Sequence, residues 1–448
     1  MIKLSDLNNK TVAVVGIGIS NRPLIDFLLK HGMQVVARDL KTRDKLEPFA
    51  SEIEAKGVKL VCGENYLDDI REDYVFRAPG VRYDKPGIAK AVENGAVLTS
   101  EMELFFDLTP AKLIAVTGSD GKTTTTTLTY KILEKAGHRV YVGGNIGTPL
   151  LPYVEEMTSD DIAVLELSSF QLHTMKKSPH IAVITNVAPN HLDYHKGMEE
   201  YIEAKTNIFS HECNERLILN HKNDITRSLA ERARKDSKVV FFQNENGVSE
   251  RDGAIYYGDE KVLDIADIIL PGHHNIENYM AAIAATRGLC TNEDVAYIAR
   301  TFKGVAHRCE LVRERRGVKF YNSSIDSSPT RTSAALTAFG RKVIVICGGY
   351  DKHIPYEPLA PLFSKFAKKV VLTGATGPKI KSVIENFDGD KPEIIERPVF
   401  DEAVYAAVDA ADEGDVVILS PASASFDAFP NFEVRGNHFK ELILNLPE

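Results

Sequence analysis

The sequence predicts an α/β protein of three tandem domains, and three observations carry that reading. Its 448 residues are about three domains' worth at roughly 150 residues each. Hydrophobic residues make up 44% and charged residues 26%, which leaves apolar surface for several cores. Short β-branched runs alternate with amphipathic helical stretches from end to end, the pattern of parallel sheets covered on both faces.

The first part, residues 1–96, opens with the β-branched strand 11–15 and the turn Gly16-Ile17-Gly18-Ile19-Ser20. A helix over 23–31 follows, with Leu24, Phe27 and Leu28 on one face, then a strand over 34–38 that ends at Asp39. A further apolar run leads to Arg77-Ala78-Pro79-Gly80. The central part, 97–303, has a strand at 113–116 that feeds a second glycine turn and a threonine-rich helix start. Buried strands are expected at 139–142, 162–165, 181–185 and 216–219, short strand-like segments across 239–270, and helices over 278–287 and 292–302. The last part, 304–448, alternates strands at 318–321, 342–347, 369–372 and 415–419 with helices at 332–339, 378–385, 401–411 and 436–444.

Composition excludes several classes. With 54 Lys+Arg against 63 Asp+Glu the net charge is −9, and no basic block offers a nucleic-acid or membrane surface. No window approaches ~18 consecutive apolar residues, and the start lacks the apolar centre of a signal peptide, so no membrane insertion is expected. The five cysteines are widely spaced with no Cys-x-x-Cys pair, which argues against a disulfide framework or zinc site and for a cytoplasmic setting.

The strongest motif is Val116-Thr117-Gly118-Ser119-Asp120-Gly121-Lys122-Thr123-Thr124. Glycines let backbone N–H groups turn toward phosphate oxygens, the following helix aims its positive end at them, Lys122 adds a point charge, and Thr123 can reach Mg²⁺. Only two residues separate the first glycine from Gly121-Lys122, where the usual loop has four; the bland alternative is a plain strand–helix turn. The first turn is a weaker signal. Gly16 and Gly18 begin a dinucleotide fingerprint and Asp39 stands where a ribose-binding acid is expected, but the third glycine position holds Asn21. A ligand-free βα turn stays open there. Glu166 ends an apolar strand, His191 and Asp193 lie just past another, and Lys205 sits in the helical stretch Tyr201-Ile202-Glu203-Ala204-Lys205. A carboxylate at the C-terminal end of a strand beside a phosphate loop suits Mg²⁺. Singly, these residues also read as a cap, a surface histidine and a solvated lysine.

In this order the segments resemble the Mur ligase family, ATP-dependent enzymes that add amino acids to the peptidoglycan precursor. The resemblance spans the chain through the phosphate loop, Gly143-Gly144-Asn145-Ile146-Gly147, the Glu166 strand, Asn190-His191-Leu192-Asp193, Lys205, His274-Asn275-Ile276-Glu277-Asn278 and His307-Arg308-Cys309-Glu310. It implies Rossmann-like first and third domains around a P-loop-type central domain with a mixed sheet. The segment 420–436 resembles the branch that adds D-glutamate, which implies UDP-N-acetylmuramoyl-L-alanine and D-glutamate as substrates and a monomer as the working form.

Residue roles come with the resemblance. The loop Gly118, Ser119, Asp120, Gly121, Lys122, Thr123 and Thr124 would hold ATP, with Asn275 and Asn278 at the adenine and Arg308 and Asp326 contacting the nucleotide from the third domain. Thr123 and Glu166 would hold a first Mg²⁺, and His191 with a CO₂-derived carbamate on Lys205 a second. Ile19, Ser20, Asp39 and Gly80 would meet the UDP-sugar; Asn145, Ser168 and Gln171 would meet the rest of that substrate, Asn145 joining Lys122, His191 and Lys205 in catalysis. Thr330, Lys352, Ser425 and Phe432 would take D-glutamate. One departure stands out: where the family usually carries a lysine, residue 328 is Ser328, with Arg331 nearby as a replacement charge. Sister muramoyl-peptide or folylpolyglutamate-type ligases, and a P-loop switch that ligates nothing, are the rival readings. A dehydrogenase is more distant because of Asn21.

Overall fold

The computed structural model describes residues 2–18 and 20–448, so Ile19 lies outside the described residues. The described residues form three sheets. The first is wholly parallel: β1 (Thr11–Val15), β2 (Gln34–Asp39), β3 (Lys59–Cys62), β4 (Tyr74–Arg77) and β5 (Val97–Thr99) lie in the order β3-β2-β1-β4-β5. Strands are added to one side of β1 as far as β3 and then, from β4, to its other side, and at such a switch point the turns leaving the parallel strand ends open a crevice.

The second sheet has nine strands in the order β14-β13-β12-β11-β10-β9-β6-β8-β7. They are β6 (Lys112–Thr117), β7 (Val140–Gly144), β8 (Ile162–Glu166), β9 (Ile181–Ile184), β10 (Arg216–Asn220), β11 (Lys238–Phe242), β12 (Val248–Arg251), β13 (Ala254–Tyr257) and β14 (Glu260–Asp264). The run from β7 to β12 is parallel and β12–β13 is antiparallel, so the sheet is mixed. All five residues of β8 are buried, as a central strand covered on both faces requires. The third sheet runs β15-β16-β20-β17-β18-β19, with β15 (Glu310–Arg315), β16 (Val318–Asn322), β17 (Val343–Gly348), β18 (Ala367–Thr373), β19 (Glu393–Glu396) and β20 (Val416–Leu419). Only β15–β16 is antiparallel.

The chain packs as two compact units, residues 1–263 with 278–298, and residues 264–277 with 299–448. In the first, one continuous apolar core joins Val12, Val14, Leu24 and Leu28 around the first sheet to Leu113, Ala163, Leu165 and Ala182 of the second. In the second, the period of two along β17 sorts the side chains: Val343, Val345 and Cys347 face one core, Ile344 and Ile346 the other.

Four helices start two or more residues earlier than the pattern predicts: at Asn21 rather than 23, at His273 rather than 278, at Pro329 rather than 332, and at Phe432 rather than 436. The last is capped by Asn431, whose side-chain oxygen accepts from Val434 N at 2.8 Å. The five cysteines are free thiols. Among the described residues no helix is long and apolar enough to cross a membrane.

Candidate active site

The phosphate-loop sequence forms the expected turn between β6 and the helix Lys122–Lys135. Gly118 and Gly121 adopt φ of +151° and +77°, and a Cβ there would stand 1.9 Å from Thr185 Oγ1 and 2.5 Å from Asn278 Oδ1. The turn therefore needs glycine for space as well as for conformation. It is braced from behind: Asn186 Oδ1 accepts from Ser119 N (3.1 Å) and Asp120 N (2.8 Å), and Ser119 Oγ meets Tyr201 OH at 2.9 Å.

Two lysines converge on one carbonyl. Lys122 Nζ donates to Gly118 O at 3.0 Å and Lys205 Nζ donates to the same oxygen at 2.8 Å. Lys205, on the helix Met198–Thr206, is 1% exposed. Burial first, and the neighbouring Lys122 charge second, lower its pKa well below the ordinary lysine value. Its amine is thus driven toward the neutral, nucleophilic form.

Glu166 ends β8 directly beside Val116 of β6 and Gly144 of β7. Its Oε1 accepts from Asn145 Nδ2 at 2.7 Å, while Oε2 is buried with no hydrogen-bond partner among the described residues. His191 is exposed, at φ +54°, with its ring edge-on to Phe170 at 5.0 Å. Partial burial, then Lys122, lower its pKa. Ser168 and Gln171 pair with each other in a capping box on the helix Ser169–Leu172. The half-buried Thr123 and buried Thr124 lie in the first turn of their helix, Asp120 is exposed, and Asn278 Oδ1 accepts from Thr125 Oγ1 at 3.2 Å.

At the first sheet, Asp39 is spent on the turn it follows in register: Oδ2 accepts from Ile17 N at 2.6 Å and Oδ1 from Lys41 N at 2.8 Å. Asn21, at the position of the missing third glycine, is buried and donates to Gly16 O at 2.9 Å. Gly16 lies against Ala78, so the turns after β1 and β4 meet; Gly80 is exposed there and Ser20 half-buried.

In the second unit, Asn275 Nδ2 donates to Pro271 O at 2.7 Å. Asp326 is buried and accepts from Ser420 Oγ at 2.8 Å; burial raises its pKa, with Arg308 and Arg331 among the charges opposing that rise. Arg308 and Thr330 are exposed. Lys352 is exposed with Nζ 5.9 Å from the Phe426 ring centre, Ser425 is buried, and Phe432 O accepts from Ser324 Oγ at 2.7 Å. Ser328 makes no side-chain cap bond, but Arg331 turns back to donate to Ile325 O at 3.0 Å, bringing its charge onto the loop that holds Ser328.

Comparison with known proteins decides the family. The chain matches the Mur ligase MurD-like N-terminal domain over residues 10–100, the Mur ligase middle domain over 116–286 and the Mur ligase glutamate ligase domain over 307–423. It is 52% identical over 453 residues to a UDP-N-acetylmuramoylalanine–D-glutamate ligase of Clostridium novyi, covering 98% of each chain. It is 50% identical over 460 residues to the same-named enzyme of Acetivibrio thermocellus, again covering 98% of each. The chain belongs to the Mur ligase family. The fold agrees: the UDP-N-acetylmuramate–alanine ligase structure from Thermotoga maritima superposes with a TM-score of 0.60 at 18% identity, over 97% of this chain and 99% of that one.

For a Mur ligase the resemblance implies Mg²⁺, and the residues present suit it. A buried carboxylate oxygen without a hydrogen-bond partner, at the strand end beside a phosphate loop, is the hard oxygen donor that Mg²⁺ takes. Several supporting residues are assigned no role by any motif of the sequence. Asn186 and Tyr201 brace the phosphate loop; Thr185-Asn186 directly after a buried strand was the available signal. Arg435 is 2% exposed and donates to Ser423 O, Ala424 O and Ser324 O, at 3.1, 3.0 and 2.9 Å. It also lines a cavity of about 300 Å³ with Gly348, Gly349, Gly374 and Asp427.

Proposed function

We infer that this Mur ligase joins D-glutamate to UDP-N-acetylmuramoyl-L-alanine at the expense of ATP. The observation that carries the reading is the glycine loop with Lys122 and Lys205 sharing the Gly118 carbonyl, on a chain 52% identical throughout to a ligase named for that reaction.

The substrate's carboxylate oxygen attacks the γ-phosphorus of ATP, the bond to ADP breaks, and an acyl phosphate forms. The D-glutamate nitrogen then attacks the acyl carbon and loses a proton as inorganic phosphate leaves. In the first step two anions meet, and at ~4 Å their repulsion is about 4 kcal/mol at an effective dielectric of 20. Lys122 and the N-terminal end of the helix Lys122–Lys135 supply fixed positive charge against it. Mg²⁺, when bound, neutralises the remaining phosphate and carboxylate charge. Thr123 and Glu166 would hold one ion, and His191 with Lys205 a second. Lys205 is suited to that role as a carbamate: its neutral amine would add to the carbon of CO₂ and release a proton, giving an anionic oxygen donor in place of the amine.

Asn145 orients Glu166 and stands where the muramoyl end of the substrate would arrive, with Ser168 and Gln171 following. The UDP end takes the crevice of the first sheet, beside Ser20, Asp39 and Gly80; Ile19 keeps its expected role there. Asn275 and Asn278 read adenine through amide groups, and Arg308 and Asp326 contact nucleotide. D-glutamate is taken by Thr330, Lys352, Ser425 and Phe432, with Arg331 supplying the cation that Ser328 lacks. The enzyme works as a cytoplasmic monomer, and the three parts 1–96, 97–303 and 304–448 divide the nucleotide-sugar, ATP and amino-acid roles.

The test is phosphate release from ATP with UDP-N-acetylmuramoyl-L-alanine and a panel of amino acids. Release with D-glutamate, accompanied by the amide product, is expected; release only with another amino acid or another acid acceptor overturns the reading.

A further inference from the structure

The turn at residues 78–81, which carries Gly80 of the nucleotide-sugar crevice, is closed by Arg77 and followed directly by Arg82, and both arginines also reach helical segments of the central part. Arg77 is 1% exposed. Its NH1 donates to Pro79 O (3.2 Å) and Val81 O (3.0 Å), closing the turn; its NH2 donates to Phe170 O (2.9 Å) and Thr174 Oγ1 (3.0 Å), just beyond Glu166 and Ser168. Arg82 holds Glu200 through two bonds, NH2 to Oε1 at 2.9 Å and NH1 to Oε2 at 3.1 Å, while its Nε and NH2 bind Asp84. Tyr194 OH donates to Pro79 O at 3.0 Å, and Lys196 Nζ reaches Asp84 at 2.7 Å. Tyr194, Lys196 and Glu200 all lie between His191 and Lys205 in the chain.

Ligating atoms of His173, His195 and Glu200 lie within 4.8 Å of one another, the spacing of a metal centre. Yet both Glu200 oxygens already accept from Arg82, and Oε2 also accepts from Lys196 N at 2.6 Å. A dication there would face the Arg82 guanidinium, so the cluster reads as an ion-paired clamp. Bidentate arginine–carboxylate pairing fixes direction as well as distance, and both partners are largely shielded from water, at 15% and 19% side-chain exposure.

We propose that Arg77 and Arg82 are positioning residues that set the distance from the nucleotide-sugar turn to the phosphate loop, and so determine whether the substrate carboxylate reaches the γ-phosphate. The proposal rests on the ligase reading above. One arginine anchors the segment after Glu166 and the other the segment before Lys205, so the turn is referenced to both sides of the reaction centre. Neither side chain is assigned a contact with substrate. A misplacement of 1 Å at a reacting pair costs on the order of 10²-fold in rate.

The experiment compares Arg82→Ala, Arg82→Lys and Glu200→Gln with the unaltered enzyme. Calorimetry gives the Kd of UDP-N-acetylmuramoyl-L-alanine without ATP, steady-state assays give kcat and the ATP KM, and thermal melts report folding. The expected result for Arg82→Ala is a kcat lowered about 10- to 100-fold. The nucleotide-sugar Kd and ATP KM stay within about threefold, because the groups that contact either substrate are intact. Arg82→Lys, which loses the bidentate fork, recovers only part of kcat, and Glu200→Gln reproduces the kcat loss. An unchanged kcat in Arg82→Ala, or a Kd that weakens as much as kcat/KM falls, overturns the proposal. If the unaltered enzyme binds no nucleotide-sugar, the ligase reading fails first and this proposal with it. Arg77→Lys, at the fully buried site, is the second variant, with the same split expected.

Discussion

The turns after β1 and β6 begin alike, each with a β-branched parallel strand, a glycine at positive φ and a helix. Their surroundings differ in charge. The first is tied by neutral and acidic groups, Asn21 on the Gly16 carbonyl and Asp39 on the Ile17 amide. The second is crossed by Lys122 and underlain by Lys205, with Glu166 one strand away. A helix N-terminus alone suits any anion; on the ligase reading proposed above, the two lysines and the spare carboxylate oxygen fit the second turn to a triphosphate with its metal. On the reading proposed above, the first turn, to which no Lys or Arg side chain hydrogen-bonds among the described residues, takes the uncharged face of a nucleoside.

The largest effect expected from breaking this contrast is at Lys205. Lys205→Ala should lower kcat by about 10²- to 10³-fold, the scale of losing one oriented charge at a reacting centre, and added short carboxylic acids should restore part of it. Wild-type rates in that variant would remove the carbamate assignment. Next, Gly118→Ala puts a Cβ 1.9 Å from Thr185 Oγ1 at φ +151° and should cost on the order of 10²-fold in ATP-dependent rate. By contrast, Gly18→Ala meets nothing within 4 Å and should stay within about twofold. Equal losses in the two alanine variants would mean that the turns are not functionally distinct.

These contrasts were partly legible in the sequence. The buried strands and both glycine turns stand out because β-branched runs and glycine punctuation are local signals. The start of the helix His273–Thr286 did not, since His273, His274 and Asn275 add no apolar periodicity. The helix Phe432–Leu444 was cut short by reading Gly436 as its beginning. That glycine lies mid-helix because a Cβ there would stand 2.2 Å from His307 Nδ1. The central-part partners of Arg77 and Arg82 are out of reach for another reason: they lie 93 to 118 residues away, and no local pattern announces a pairing of that range. Asp39 and Ser168 are a further lesson, since each was legible as a polar site residue while the bonds it makes to its own fold were not.

A pH experiment sharpens the comparison at the helix Glu101–Leu108, which follows the first sheet and leads into the second. Burial raises the Glu101 carboxyl to about 7 and its Oε1 has no hydrogen-bond partner among the described residues. Between the unfolded value near 4.5 and about 7 the folded chain holds the extra proton, so the contribution to stability is full below that window and lost as pH rises through it. Glu101→Gln, followed by denaturant unfolding at a series of pH values, should flatten the pH dependence of the unfolding free energy by about 1–3 kcal/mol across it. An unaltered slope would show that the carboxyl is ionised in the fold. The smallest effect is at Asn21: Asn21→Ala removes the donor to Gly16 O and should cost about 1 kcal/mol. Nucleotide-sugar affinity should weaken while ATP affinity stays constant; the reverse pattern would exchange the roles of the two turns.

The division of labour between the turns is tested most directly by calorimetric titration of Lys122→Ala with each substrate separately. The account predicts that ATP affinity falls at least about tenfold, the loss of one charge-assisted contact, while UDP-N-acetylmuramoyl-L-alanine binds as in the unaltered enzyme. ATP binding that survives the substitution, or nucleotide-sugar binding that disappears with it, would contradict the account.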